Sequence, residues 1–259
     1  MLVSEASQRV SGAPVAPTPK PLKNPWHGGW IRAVLFDLDG TLYRQAPLRA
    51  LMALELLALP LTNPSAASAK WRALTTYRRA QETLRANDTA VMCDSQLRVA
   101  AAQMGWQPGD LEPIVDEWML RRPLKYLQVC RASGVTDLLA FLSRRGVRAG
   151  VFSDYPAQDK LAALGLAERF DPVLCASDPP IHALKPHPRG FLEAARIWQL
   201  DAREVLVVGD RVDADADGAA AAGMSCVIVG RDRGTSPANG YVSINSLKGL
   251  HRVLSDGSR

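Results

Sequence analysis

The chain has 259 residues, of which 47% are hydrophobic and 22% charged, with a formal net charge of +5. These are the proportions of an ordinary soluble globular protein, long enough to build a core without disulfides or a structural metal. No apolar run approaches the ~18 residues that span a membrane, and no block of five or more basic residues marks a nucleic-acid arm. The mild positive excess suits an enzyme with anionic substrates. Cys93, Cys130, Cys175 and Cys226 are far apart, with no CxxC pair, and read as reduced thiols. "MLVSEASQRV" has no signal-peptide hydrophobic region, so the expected location is the cytoplasm.

Residues 1–30 read as a tail. "SGAPVAPTPKPLKNP" is rich in proline and small residues and has no apolar period, so it cannot repay its ordering entropy. Trp26 and Trp30 are the residues that would dock it. "IRAVLFD" then reads as a buried strand, a short β-branched and aromatic run ending in turn residues. From Tyr43 to Val147 the signals are helical. "APLRALMALELLAL" stops at Pro60, and "SAASAKWRALTTYRRAQETLRAN" opens on a serine cap and runs to Asn87. "DSQLRVAAAQMG" runs from a capping aspartate to Gly105, and "DLEPIVDEWMLRR" is a further amphipathic candidate.

After this stretch strands and helices alternate. "VTDLLAFLSRRG" is a helix and "VRAGVFS" a strand, then "AQDKLAALGLAERF" and "PVLCA". "PRGFLEAARIWQL" and "EVLVVGD" follow, then "DGAAAAG" and "SCVIVG", and the helix "SLKGLHRVL" closes the chain. This order predicts an α/β fold, a doubly wound, Rossmann-like parallel sheet with helices on both faces and an inserted helical region. In such sheets ligands sit outside the carboxyl ends of the strands.

The polar residues fall at those ends. Asp37 closes the first strand and Asp39 follows two residues later. Ser153 closes the second, with Asp154 after it, and Asp210 closes the fourth, followed by Asp213, Asp215 and Asp217. Lys185 lies in "ALKPHP", in a loop before a helix. Grouped carboxylates are costly unless a cation compensates them. Several acids, a hydroxyl and a lysine on one rim suit Mg²⁺ and a phosphate. A carboxylate is a competent nucleophile toward phosphorus, and Lys185 supplies a compact positive charge against developing negative charge.

"DLDGT" at 37–41, Ser153 after an apolar strand, Lys185 in "LKPHP" and "VVGDRVDADADGAAAAG" are similar, in order and spacing, to the four motifs of the haloacid dehalogenase-like hydrolases. The resemblance covers about residues 31–42 and 148–232. It implies Asp37 as nucleophile and Mg²⁺ ligand. It implies Asp39 as general acid and base, with its backbone carbonyl on the metal. Thr41 and Ser153 would contact the phosphoryl group, Lys185 would stabilise the intermediate, and Asp210 would complete the metal site. The second acid of the last motif, which would act through water or orient the site, is Asp215 by the family's usual spacing of four or five residues, with Asp213 as the alternative. Family members that cleave carbon–halogen bonds usually lack the second aspartate of "DLDGT", so Asp39 favours phosphate ester hydrolysis. Phosphonate-cleaving relatives use a lysine of the inserted region, and neither Lys70 nor Lys125 sits in a matching motif. Asp154 stands where many relatives have asparagine and is expected to cap a helix or face solvent.

The division implied is a tail at 1–30, a core at 31–42 and 148–259, and a helical cap at 43–147. The cap carries 14 Lys+Arg against 9 Asp+Glu, a net +5. Arg78, Arg79, Arg121 and Arg122 are candidates for steering an anionic substrate, whereas Trp71, Trp106 and Trp118 read as cap core. The activity expected is Mg²⁺-dependent hydrolysis of a small phosphorylated metabolite, sugar phosphate or phosphoglycolate-like, through an aspartyl-phosphate. Neither nucleic acid nor membrane is an expected partner. The alternatives are a phosphoryl-transferring mutase of the same family and a catalytically weak, partner-binding member.

Overall fold

The computed structural model describes residues 22–24, 29–58, 64–86, 93–230 and 241–256. Six strands form one parallel sheet: β3 (Ala33–Phe36), β4 (Arg148–Ser153), β5 (Val173–Cys175), β6 (Val205–Gly209), β7 (Ser225–Val229) and β8 (Tyr241–Ile244). Their spatial order is β5-β4-β3-β6-β7-β8. The first strand therefore lies between β4 and β6, where the winding of the sheet reverses and ligand crevices form. Phe36 pairs with Val151 on one side and Val208 on the other, which brings the ends of three strands to one rim.

The strands are continuous apolar runs because both faces are covered. Val34 and Phe36 point into a cluster with Leu138 and Leu142 of α6 (Val135–Arg144), Leu161 of α7 (Gln158–Ala163) and Leu250 and Leu254 of α10 (Leu247–Asp256). Ala33 and Leu35 point the other way, against Phe191 and Trp198 of α8 (Arg189–Trp198) and Ala219 of α9 (Asp217–Ala221). This is the expected doubly wound layout.

Between β3 and β4 the chain is helical: α1 (Gln45–Ala58), α2 (Pro64–Ala86), α3 (Cys93–Met104), α4 (Pro108–Val115), a π-helical stretch Asp116–Arg121, α5 (Leu124–Cys130) and α6. Ala73, Tyr77, Ala100, Leu111 and Val115 make a small cluster joining α2, α3 and α4. The expected stops at Pro60 and Asn87 lie outside the described residues.

Four elements differ from expectation. The predicted helix 157–170 breaks after α7, where Gly165 takes φ 70°, and resumes as a single 3₁₀ turn at Ala167–Arg169. The predicted helix 110–122 is α4 followed by the π-helical stretch, with Pro113 inside it. Neither α5 nor β8 was anticipated: α5 has seven residues and starts behind Pro123, and β8 is a four-residue edge strand. The expected tail is corrected at its end. Leu22–Lys23 (β1) pairs antiparallel with Trp30–Ile31 (β2). Leu22 and Ile31 are fully buried, and Asn24 Nδ2 donates to Ser225 Oγ at 3.0 Å. Burial of Leu22 anchors this segment, while Trp30 stays exposed. Residues 1–21 and 25–28, Trp26 among them, lie outside the described set. Cys130, Cys175 and Cys226 are free and buried, and among the described residues no helix is long and apolar enough to cross a membrane.

Candidate active site

The site forms where β3, β4 and β6 end. The Asp37 N–H donates to Val208 O at 2.8 Å, so the sheet ladder itself fixes the backbone of the first carboxylate. The chain then turns sharply at Gly40, which takes φ 111°. A Cβ there would stand 2.1 Å from Asp210 Oδ2, so only glycine lets this loop pass the β6 carboxylate.

Lys185 is the centre of charge. Its side chain is 3% exposed, and Nζ donates to Asp37 Oδ1 at 2.6 Å and to Asp215 Oδ1 at 2.8 Å. Asp215 Oδ2 accepts the backbone N–H groups of Asp210 and Arg211, each at 3.1 Å. Asp37, Asp210 and Asp215 each place an oxygen within 4.8 Å of the others. Of the two acids left open by the sequence, Asp215 is the buried member of this cluster, whereas Asp213 is exposed and pairs with Arg211. Asp217 is the exposed first residue of α9.

Asp154 corrects an expectation. It neither caps a helix nor faces solvent. It is buried, and its Oδ1 accepts the Lys185 N–H at 3.0 Å, tying the lysine loop to the end of β4. Thr41 Oγ1 donates to Asp37 Oδ2 at 3.1 Å, and Ser153 Oγ accepts the Tyr155 N–H at 3.3 Å. Both hydroxyl residues are buried, and of the two Thr41 touches an acid of the site.

Asp39 has a partner that sequence reasoning missed. Lys160, on α7, is buried, and its Nζ lies 2.7 and 2.8 Å from the two Asp39 carboxylate oxygens. The Tyr43 hydroxyl donates to the same carboxylate, and the Asp39 carbonyl accepts from the Gln45 side-chain amide. A signal for Lys160 did exist. It sits at the core-facing spacing of Ala157, Leu161 and Leu164, where a charge is anomalous unless paired.

These contacts set the charge states. Burial raises the Asp37 pKa well above the ordinary carboxylate range; Lys185 opposes this, and Asp215 and Asp210 add to it. Burial, then Asp215, pushes Asp210 up to about 6. Burial alone would lower the Lys185 pKa, but Asp215, Asp37 and Asp154 reverse this and hold it charged. Burial alone would likewise raise Asp39, but the charge and hydrogen bonds of Lys160 outweigh it and hold Asp39 below its usual value. Two neighbouring carboxyls reluctant to ionise, with a third beside them, have the chemistry of a divalent-cation site: Mg²⁺ takes a few carboxylates and keeps its remaining positions for waters and substrate oxygens.

The acids form the floor of a cavity of about 560 Å³ whose walls come from α1, α2 and the π-helical stretch. Arg78, Arg79, Trp71 and Trp118 line it. Arg121 pairs with Asp116, and Arg122 with Glu55 and Glu117. Lys125 pairs with Glu55, and Lys70 lies over the Trp118 ring. His187 accepts the Arg189 N–H through Nδ1, a contact of the turn before α8.

A family model described as haloacid dehalogenase-like hydrolase matches residues 31–223. The glyceraldehyde 3-phosphate phosphatase of Pyrococcus abyssi (strain GE5) is 31% identical over 106 residues, 40% of this chain and 44% of that protein. The phosphoglycolate phosphatase of Escherichia coli (strain K12) is 30% identical over 242 residues, 84% of this chain and 91% of that one. Among solved structures, the HAD-hydrolase YfnB from Bacillus subtilis bound to magnesium aligns with a TM-score of 0.64 at 22% identity, over 87% of this chain and 99% of that chain.

Proposed function

The chain belongs to the haloacid dehalogenase-like hydrolases, and on that footing we propose that it is a Mg²⁺-dependent phosphomonoesterase working through an aspartyl-phosphate. The observation that carries the reading is the placement of Asp37. It ends the central strand at the floor of the cavity, 2.6 Å from the Lys185 ammonium and 3.1 Å from the Thr41 hydroxyl, with Asp39 two residues away. The relatives named as phosphatases of small phosphorylated metabolites support the substrate class.

In this reading an Asp37 carboxylate oxygen attacks phosphorus and the ester bond breaks. The leaving oxygen takes its proton from Asp39. Water then attacks the aspartyl-phosphate, Asp39 accepts the proton of that water, and free phosphate and the Asp37 carboxylate are regenerated. Lys160 contacts both Asp39 oxygens and favours the ionised form that accepts the proton of the attacking water, and the proton given to the leaving oxygen is one that Asp39 takes up from the monoprotonated phosphate ester as it binds. Lys185 offsets charge at Asp37 while it carries the phosphoryl group, and Thr41 and Ser153 orient that group from behind. Asp37, Asp210 and Asp215, directly or through water, together with the Asp39 carbonyl, would hold Mg²⁺. When bound, the ion supplies positive charge that draws the acids into their ionised state and neutralises the phosphoryl oxygens. The helices α1 and α2 and the π-helical stretch, with α3 and α4 packed on α2, serve as a cap that shields the intermediate from bulk water, whereas α6, expected in the cap, covers the sheet.

The test is phosphate release from a panel of phosphorylated metabolites, with Mg²⁺ and with EDTA, for the wild type and Asp37→Asn. The reading requires turnover that depends on both the metal and Asp37. Release that persists in Asp37→Asn would overturn the mechanism, and phosphate that moves within a substrate rather than leaving it would make the enzyme a mutase.

A further inference from the structure

The cavity above the acids is larger and less polar than a two- or three-carbon phosphoester needs. Its roughly 560 Å³ lies within the range of about 300–1,000 Å³ that encloses drug-sized ligands. It holds the liquid share of about 19 waters, at ~30 Å³ each. The phosphoryl group and its immediate carbons fill only the end over Asp37. Beyond that end the wall is made by Leu48, Met52 and Leu56 of α1, Leu74 and the exposed Trp71 ring of α2, and Trp118. Such a surface gains from covering an apolar or ring-bearing body and gains little from a hydrated two-carbon acid.

Within this apolar wall stand three arginines, Arg49, Arg78 and Arg79, that form no ion pair among the described residues, and the charges of Arg49 and Arg78 lie close enough to act on each other. The Arg49 guanidinium donates to the Gln45 amide oxygen. Burial, then the nearby Arg49 charge, lowers the Arg78 pKa, with Tyr155 and Tyr43 opposing. Tyr43 also bonds Asp39, which places this pair of cations on the Asp39 side of the cavity. Two further arginines nearby are occupied: Arg122 by Glu55 and Glu117, Arg211 by Glu82 and Asp213. Two adjacent guanidinium groups at the cavity wall repel each other and are stabilised by an oxyanion between them.

Resting on the phosphatase reading above, we infer that the substrate's leaving group is an apolar, ring-sized body bearing a second oxyanion, with the body covered by the Leu48–Met52–Leu56–Trp71 wall and the oxyanion received by Arg49 and Arg78. Specificity then comes from the wall and the two arginines together, and phosphoglycolate, which has the anion but no body, is a poor substrate.

The experiment compares kcat/KM for 4-carboxyphenyl phosphate, phenyl phosphate and phosphoglycolate, in Mg²⁺, for the wild type and Arg78→Met. The wild type should favour 4-carboxyphenyl phosphate over phosphoglycolate by about 10-fold or more. The ratio of carboxylated to plain aryl ester should fall by about 10-fold in Arg78→Met, the size of one lost charge-assisted hydrogen bond. Preference for phosphoglycolate over both aryl esters, or an unchanged ratio in the variant, overturns the inference. A second arm measures calorimetric binding of 4-carboxybenzylphosphonate, which has no ester to cleave. Binding that weakens about 10-fold in Arg78→Met, in a protein that hydrolyses no ester, upholds the pocket while the phosphatase reading alone fails. Absence of binding by the wild type overturns the pocket.

Discussion

Lys160 and Asp39 form a two-pronged contact across the site, with Nζ 2.7 Å from one carboxylate oxygen and 2.8 Å from the other. The two residues are 121 positions apart and come from different strand–helix units. Asp39 follows β3, and Lys160 rises from α7 after β4. The adjacency of β3 and β4 is what makes the pair.

Replacing Lys160 with methionine tests what the pair does. Asp39 is a carboxyl with a depressed pKa, so its contribution to stability is present above the unfolded value and lost as pH falls through the folded value. Without Lys160 burial is opposed only by the Tyr43 hydrogen bond and the more distant Lys185 charge, and the Asp39 pKa rises. The acid limb of the kcat–pH profile should therefore move to higher pH in Lys160→Met. The folded state should lose about 3 kcal/mol at neutral pH, the cost of breaking a buried pair from one side. An acid limb at its wild-type position would mean that the contact is structural only.

The carboxylate cluster predicts how the metal acts on stability. Burial, then the Asp215 charge, pushes Asp210 up to about 6, and burial raises Asp37 as well. A raised carboxyl contributes stability that is complete below the unfolded value and is lost as pH rises through the folded value. The metal-free protein should thus weaken between about pH 4 and pH 6, and Mg²⁺ should restore more the higher the pH. At 100 times its Kd the ion contributes about 2.7 kcal/mol, or roughly 5–10 °C in Tm for a chain of this size. Thermal unfolding at pH 5 and pH 7.5, with Mg²⁺ and with EDTA, measures the difference. An equal Mg²⁺ shift at both pH values would argue against these acids as the ligands.

Gly40→Ala isolates the close approach of the loop to β6. The added methyl meets Asp210 Oδ2 at 2.1 Å, on a backbone with φ 111°. The left-handed strain alone costs about 1–2 kcal/mol, and the clash must push Asp210 aside. The expected result is a folded protein, less stable by about 2 kcal/mol or more, with Mg²⁺ affinity reduced at least 10-fold in a calorimetric titration. Unchanged Mg²⁺ affinity would mean that Asp210 can move without loss of the metal site.

The residues legible in the sequence are those held by the ends of strands. Asp37, Ser153 and Asp210 each follow an apolar run, and parallel pairing of β3 with β4 and β6 brings them together. Lys185 is legible through its motif, although sequence pattern alone reads its backbone partner Asp154 as a cap or a solvent-facing acid. Lys160 was not legible, because helix spacing marks it as anomalous without saying which acid it meets. That partner is set by strand order, which sequence spacing alone does not give. Between Asp213 and Asp215 the motif spacing points to Asp215, and the π-helical turn at Val212–Ala216 that directs it inward is what local pattern at ideal helix pitch does not reveal. The short elements α5 and β8 escaped because seven and four residues carry too little period to register.

A last contact joins the helical insertion to the sheet. The Arg211 guanidinium, just past Asp210, meets both Glu82 oxygens on α2, at 3.0 and 3.2 Å. Both side chains are partly exposed, at 36% and 54%, so the pair contributes at most about 1 kcal/mol to stability. Its place matters more than its energy, since α2 also carries Arg78 and Trp71 on the cavity wall. Glu82→Gln should shift Tm by less than about 4 °C while raising KM severalfold and leaving kcat nearly unchanged. Salt should raise the wild-type KM toward that of the variant, because screening weakens an exposed pair. A lowered kcat at constant KM would instead place Glu82 in the chemistry, and loss of the salt dependence in neither protein would remove the pair from substrate capture altogether.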